Sequence, residues 1–182
     1  MYKERGFTSH DVVAKLRGIL HMKKIGHTGT LDPDATGVLP VCLGKATKVC
    51  GLLTDKDKTY RAVVKLGVMT NTEDMTGEIL AKHPVLVTKE QIERAVSKFV
   101  GEIEQVPPMY SAIKINGKKL YELARQGKEV ERKARKVTIY GIKVLSIDFS
   151  ENEFTMEVSC SKGTYIRTLC KDIGEFLGCG AA

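Results

Sequence analysis

The sequence predicts an α+β fold: a mixed, mainly antiparallel sheet flanked by helices and loops. Three observations carry this. Helical and strand periodicities are interleaved along the 182 residues without a repeating strand-helix rhythm. Two neighbouring segments, 137–149 and 153–161, alternate apolar and polar residues around a Ser150-Glu151-Asn152 turn, the pattern of a hairpin. A stretch from Ile25 to Leu43 is rich in Gly, Pro, Thr and Asp and shows neither period. A chain of this length that is 42% hydrophobic buries roughly two-thirds of the surface its unfolded form exposes, so residues 1–182 are expected to form one domain.

In chain order, Ser9 is placed to cap a helix reaching about Leu20, with Val12, Val13, Leu16, Ile19 and Leu20 as an apolar stripe to be packed on a sheet. Residues 25–43 read as one long structured loop, and such loops in compact domains are usually functional. Tyr60 to Val68 reads as a strand, 70–77 as a turn, and Ile79-Leu80 as a short apolar run. The Thr88-x-x-Gln91 capping pattern opens a helix whose stripe is Ile92, Ala95, Val96, Phe99 and Val100. Pro107 and Pro108 stop regular structure. Lys119 to Gln126 suits a short helix closed by Gly127, and a last helix spans Tyr165 to Leu177 and ends at Gly178.

The net charge of +7 is concentrated. Between Lys114 and Lys136 lie nine basic and three acidic residues, a net of +6. That is the footprint of a polyanion binder, and equally of a solvated helix face. Five cysteines, odd in number and without a C-x-x-C pair, suggest reduced and mostly buried thiols in a cytoplasmic protein rather than a zinc site or a disulfide framework. Charges at Lys3, Glu4, Arg5, Asp11, Lys15 and Arg17 break any signal-peptide core, and no apolar run suits a membrane span.

The chemistry is expected in Gly26-His27-Thr28-Gly29-Thr30-Leu31-Asp32-Pro33-Asp34-Ala35-Thr36-Gly37-Val38-Leu39-Pro40, which sets a histidine and two carboxylates in a glycine-containing loop. From the residues alone, Asp32 and Asp34 fit an Asx-turn, or less well a Mg²⁺ site, because no further acidic cluster or Walker-type lysine follows.

The string GHTGTLDPDATGVLPVCLGKATK closely resembles the signature loop of TruB pseudouridine synthases. The resemblance extends over nearly the whole chain. Asp57-Lys58-Thr59-Tyr60-Arg61-Ala62 is similar to the family's second motif, and Val106-Pro107-Pro108-Met109-Tyr110-Ser111-Ala112 followed by Gly117-Lys118-Lys119-Leu120-Tyr121 to a third. Ser161-Lys162-Gly163-Thr164-Tyr165-Ile166-Arg167 matches the motif that supplies the active-site arginine. The Leu-Asp-Pro core is shared with guide-RNA-dependent eukaryotic and archaeal enzymes, whereas Asp34-Ala35-Thr36-Gly37 resembles the bacterial stand-alone type.

What the resemblance implies is a catalytic domain of pseudouridine synthase fold, without cofactor or metal, that isomerises uridine at position 55 in the T-loop of tRNA. Asp32 is implied as the essential carboxylate, acting as nucleophile at C1′ or C6 or as base at the 2′ position. Arg167 would keep it charged and aimed. Tyr60 would lie against a flipped-out base, and His27 would support the rearranged loop. Tyr165 stands as a partner of Arg167 or as a core tyrosine. Lys48, Lys118, Lys119 and Arg125 are implied as backbone-phosphate contacts, with the basic run serving as a clamp on the tRNA T-arm. A monomer without membrane contact or an obligate protein partner is expected. At both ends the match falls short. Lys3-Glu4-Arg5 stands in place of the family's Asp-Lys-Pro pattern and the first strand is expected to be missing. At the other end the chain stops before a further strand and a C-terminal RNA-binding PUA-like domain, so the sequence reads as truncated.

Overall fold

A computed structural model describes residues 1–182. They fall into two units, Met1–Lys56 and Asp57–Ala182.

The first unit holds one helix, two small antiparallel ribbons and a helical tail. Helix α1 spans Ser9–Ile19, and its cap is Thr8, not Ser9. Thr8 is extended, so its Oγ1 meets the Asp11 amide at 3.1 Å while the Asp11 carboxylate accepts from the Thr8 amide at 2.8 Å. The Thr8 hydroxyl, which donates to the Asp11 carboxylate at 2.6 Å, and then the Thr8 amide hold this carboxyl below the usual range. Of the expected stripe, Val13 is buried, whereas Ile19 is 63% and Leu20 43% exposed. The helix packs on a strand of three residues, which covers about 10 Å where eleven helical residues extend about 16 Å.

Residues 25–43 are not one loop. Strand β1 (Tyr2–Lys3) is present and pairs with β3 (Gly37–Val38), while β2 (Ile25–His27) pairs with β4 (Val41–Leu43). Strands of two or three residues are too short to show a period, which is why sequence pattern missed them. A 3₁₀ turn, Gly44–Val49, and helix α2, Cys50–Thr54, complete the unit.

The second unit is built on a four-stranded antiparallel sheet. Strand β5 runs Lys58–Lys65, ending before the expected Val68. The chain turns at Gly67, and β6 (Val68–Thr70) pairs with β7 (Ile79–Lys82) instead. Helix α3 (Lys89–Lys98) starts from the predicted Thr88/Gln91 capping box. Strand β8 (Gly101–Gln105) was not foreseen, and neither was the ribbon of β9 (Lys114–Ile115) and β10 (Lys118–Lys119). Helix α4 (Leu120–Ala124) is shorter than expected, with Gly127 at φ +70° after it. The predicted hairpin is β11 (Arg135–Asp148) with β12 (Glu153–Cys160), and the last helix is α5, Ile166–Phe176.

The sheet order is β5-β12-β11-β8. Strand β12 alternates perfectly: Phe154, Met156, Val158 and Cys160 are buried while the residues between them are half-buried. That buried face joins Ile92, Ala95 and Val96 of α3 and Leu169 and Ile173 of α5 in one apolar cluster. Each large side chain so covered contributes about 1.5–3 kcal/mol. The expected α+β class holds, and every ladder is antiparallel.

Candidate active site

Asp32 lies on a short tight turn in the first unit, its carbonyl accepting from the Ala35 amide at 3.0 Å. The loop around it is held from several sides. Ser9 Oγ accepts from the Leu31 amide at 3.0 Å, which explains why Ser9 is buried inside the first turn of α1 rather than capping it. The Gly6 amide donates to the Pro33 carbonyl at 2.9 Å. Arg5 pairs with Asp34 at 3.5 Å on the exposed side, a contact of little energetic weight by itself.

The least expected anchor is Lys3. Its side chain is fully buried, and its Nζ donates to the carbonyls of Phe7 (2.7 Å), Glu4 (3.0 Å) and Pro33 (3.1 Å). Three acceptors match the three donors of an ammonium group, which is how a buried lysine keeps its proton. Burial lowers its pKa, and the charges of Asp32 and Asp34 act in the opposite direction. The segment that stands in place of the family's Asp-Lys-Pro pattern therefore ties the N-terminal strand to the Asp32 turn.

His27 is half-buried at the end of β2, with Nδ1 2.6 Å from the Gly29 carbonyl. A carbonyl only accepts, so Nδ1 carries the proton and the ring orientation is set by the loop itself. Lys48 is exposed on the 3₁₀ turn.

The other expected site residues belong to the second unit. Tyr60 is half-buried on β5, opposite Val158 of β12. Arg167 lies in the first turn of α5 with its side chain 16% exposed. Its Nη1 reaches the Thr72 carbonyl at 3.0 Å and the Asp74 carboxylate at 3.3 Å, and its Nη2 reaches the Tyr110 carbonyl at 3.1 Å. The guanidinium thereby joins three segments through a fork that an ammonium could not reproduce. Asp74 in turn accepts from Thr72 Oγ1 at 2.8 Å and the Thr76 amide at 2.9 Å, so the turn around it is rigid.

Tyr165 contributes through its backbone. Gln105, 1% exposed, accepts from the Tyr165 amide at 2.9 Å and donates to the Tyr165 carbonyl at 3.0 Å. This reciprocal pair fixes the entry to α5 two residues before Arg167. Gln105 carries no motif signal: it follows Glu104 as one more polar residue before Val106-Pro107-Pro108. Lys119 and Arg125 flank the Tyr121 ring, with Nζ at 5.2 Å and Cζ at 5.3 Å from its centroid. Lys118 and Arg125 are exposed and Lys119 half-buried. No helix is long and apolar enough to cross a membrane.

Comparison with solved structures defines the class. The chain superposes on the complex of Cbf5 with Nop10 and Gar1 with a TM-score of 0.75 at 37% identity, covering 99% of this chain and 44% of that chain. It superposes on an H/ACA RNP bound to a substrate RNA containing 2′-deoxyuridine with a TM-score of 0.71 at 33% identity, covering 99% and 42%. The fold is that of the pseudouridine synthases. Residues 17–166 match the sequence profile of the TruB family pseudouridylate synthase N-terminal domain, and the chain belongs to that family. The tRNA pseudouridine synthase B of Alkaliphilus oremlandii is 61% identical over 98% of this chain, and that of Lachnoclostridium phytofermentans is 63% identical over 99%. The chain spans 59% and 61% of the lengths of these two relatives.

Proposed function

We propose that this chain carries the catalytic residues of a tRNA pseudouridine synthase and isomerises the uridine at position 55 of the T-loop. The observation that carries the reading is the Asp32 turn. An exposed carboxylate stands on a loop whose backbone is held by Lys3, Gly6 and Ser9, within a segment matching the family profile. Preorganisation of that kind suits a residue that must meet a reacting sugar or base in one orientation. The names of the relatives, tRNA pseudouridine synthase B, support tRNA as the substrate.

The reaction breaks the glycosidic C–N bond, turns the base and joins its C5 to C1′. The Asp32 carboxylate supplies the electron pair, as a nucleophile or as a base. Tyr60 lies against the base after it has been flipped out of the T-loop stack, and loss of the C5 proton completes the exchange. Arg167 supplies the positive charge that the family resemblance assigns to the catalytic centre, which favours an ionised carboxylate while RNA excludes water. His27 steadies the loop. Lys48, Lys118, Lys119 and Arg125 meet phosphates and set the register without reading bases. Seven of the nine cations in the 114–136 run are exposed, which suits that contact.

The test is conversion of uridine to pseudouridine in an unmodified tRNA transcript, run beside Asp32→Asn. Conversion by the wild type and none by a folded Asp32→Asn that still binds the transcript is the expected result. Equal conversion by both proteins would overturn the assignment of Asp32.

A further inference from the structure

Cys42 stands directly opposite Gly26 in the β2–β4 ladder, so on one side of this hairpin a thiol faces a residue with no side chain. Cys50 fills the gap: its Sγ lies 3.2 Å from the position a Cβ on Gly26 would take. Directly opposite residues point to the same face of a ladder, so the two sulfurs share one small space beneath the hairpin. Burial first, and then the neighbouring Cys42 thiol, push the Cys50 thiol above its usual range. Cys42 is buried, whereas Cys50 is half-buried and open to a small reagent. The other three cysteines, Cys160, Cys170 and Cys179, are all buried in the second unit.

We propose that Cys42 and Cys50 form a modification site, a thiol pair that closes reversibly to a disulfide when the protein meets a peroxide. Cys50 is the attacking group because it is the reachable one; its raised pKa keeps the thiolate fraction small, so closure is slow at neutral pH and quickens as pH rises. Its thiolate takes one oxygen from the peroxide O–O bond, giving a sulfenic acid and releasing water after proton transfer. The Cys42 sulfur then displaces the hydroxyl, which leaves as a second water. Two thiols and one hydrogen peroxide become one disulfide and two waters. A dithiol reductant reverses the bond by exchange.

The bond would tie the start of α2 to β4. Gly26 lies between these two anchors and precedes His27, so the tie reaches the strand that launches the Asp32 turn. Conversion of uridine is therefore expected to fall on oxidation and to recover on reduction; this step rests on the function proposed above.

The experiment treats the chain with hydrogen peroxide, then measures intact mass, free thiols and the linked peptides, followed by conversion before and after dithiothreitol. The expected result is a mass lower by two hydrogens, loss of two of the five thiols, a Cys42–Cys50 peptide, and conversion that falls and returns. Cys50→Ser should form no such peptide and should keep its conversion under the same treatment. A linkage elsewhere, or stepwise gain of oxygen without a linkage, would overturn the site. A Cys42–Cys50 bond with unchanged conversion would overturn the coupling to the Asp32 turn. Failure of the reduced protein to convert RNA would count against the proposed function and leave the mass result to judge the thiol pair.

Discussion

The Nζ of Lys3 stands 3.1 Å from the carbonyl oxygen of Pro33, the residue directly after Asp32. This bond crosses thirty residues of sequence and is one of three that a fully buried ammonium makes. It makes the position of Asp32 depend on residues 3–7, at the start of the chain, as much as on its own loop.

Replacing this lysine therefore has a defined cost. Lys3→Met keeps much of the buried volume and removes all three donors, leaving carbonyls of Glu4, Phe7 and Pro33 without this partner. Urea denaturation should show a loss of about 1–3 kcal/mol, the cost of a partly buried acceptor left unmet, because the Pro33 carbonyl keeps the Gly6 amide. Proteolysis should become faster at the 28–36 segment. Stability within about 0.5 kcal/mol of wild type, the range of a neutral surface change, would show that the bonds are replaced by water at no cost.

Arg167→Lys preserves charge and removes the fork. A single ammonium cannot reach the Thr72 and Tyr110 carbonyls in the geometry that Nη1 and Nη2 do at 3.0 and 3.1 Å. Single-turnover conversion of the tRNA transcript should fall by about a hundredfold, the penalty typical of a misplaced catalytic array, while transcript binding changes little. Full activity in the lysine variant would mean that charge alone is required.

Asp172 offers a pH test. Burial raises its carboxyl from 3.8 to about 6, with Glu175 and Glu73 adding to the rise and Lys171 opposing it. The folded state thus holds a proton that the unfolded state has already lost between these two values. Stability from this group is fully present below 3.8 and is lost as pH rises through 6. Asp172→Asn should stabilise the protein at pH 7–8 by something on the order of 1 kcal/mol, discounted for solvent screening. The gain should shrink as pH falls from 6 and vanish about one pH unit below 3.8, where the wild-type carboxyl is protonated in both states. Thermal denaturation across this range measures it, and a gain independent of pH would contradict the assignment.

Gly174→Ala probes how the C-terminal residues seat. Gly174 lies on the buried side of α5, and a Cβ there would collide with the Ala181 backbone nitrogen and with Gly180. Ala182 exchanges both backbone hydrogen bonds with Lys65, at 2.9 and 3.0 Å. Displacing this segment should cost about 3 kcal/mol, the upper range for overpacking a filled site, and speed hydrogen exchange at the Lys65 and Ala182 amides.

The longer elements were legible because they repeat one pattern over many residues. The β11–β12 hairpin, α3 with its Thr88/Gln91 box, and the close of α5 at Gly178 follow from alternation, capping and a glycine with φ +77°. Strand β8 was masked because two glutamates, Glu102 and Glu104, occupy its exposed side and leave only Ile103 and Gln105 to mark the other. The two-residue strands could not be read at all, since a pair of residues has no period.

By itself the sequence determined the α+β class, the main hairpin and helices, and the loop in which Asp32 stands, because periodicity, caps and contiguous motifs are local properties of the chain. Only the tertiary structure decided how that loop is held. Lys3 reads in sequence as one of several charges near the start, Ser9 as a cap, Gln105 carries no reading at all, and Cys42 and Cys50 stand as separate thiols. Each acquired its role from a partner distant along the chain or on another element: Pro33 for Lys3, Leu31 for Ser9, Tyr165 for Gln105, and the space over Gly26 for the two sulfurs. The physical reason is that a buried polar group must find its partner wherever folding brings one within about 3 Å, and no local pattern records where that is.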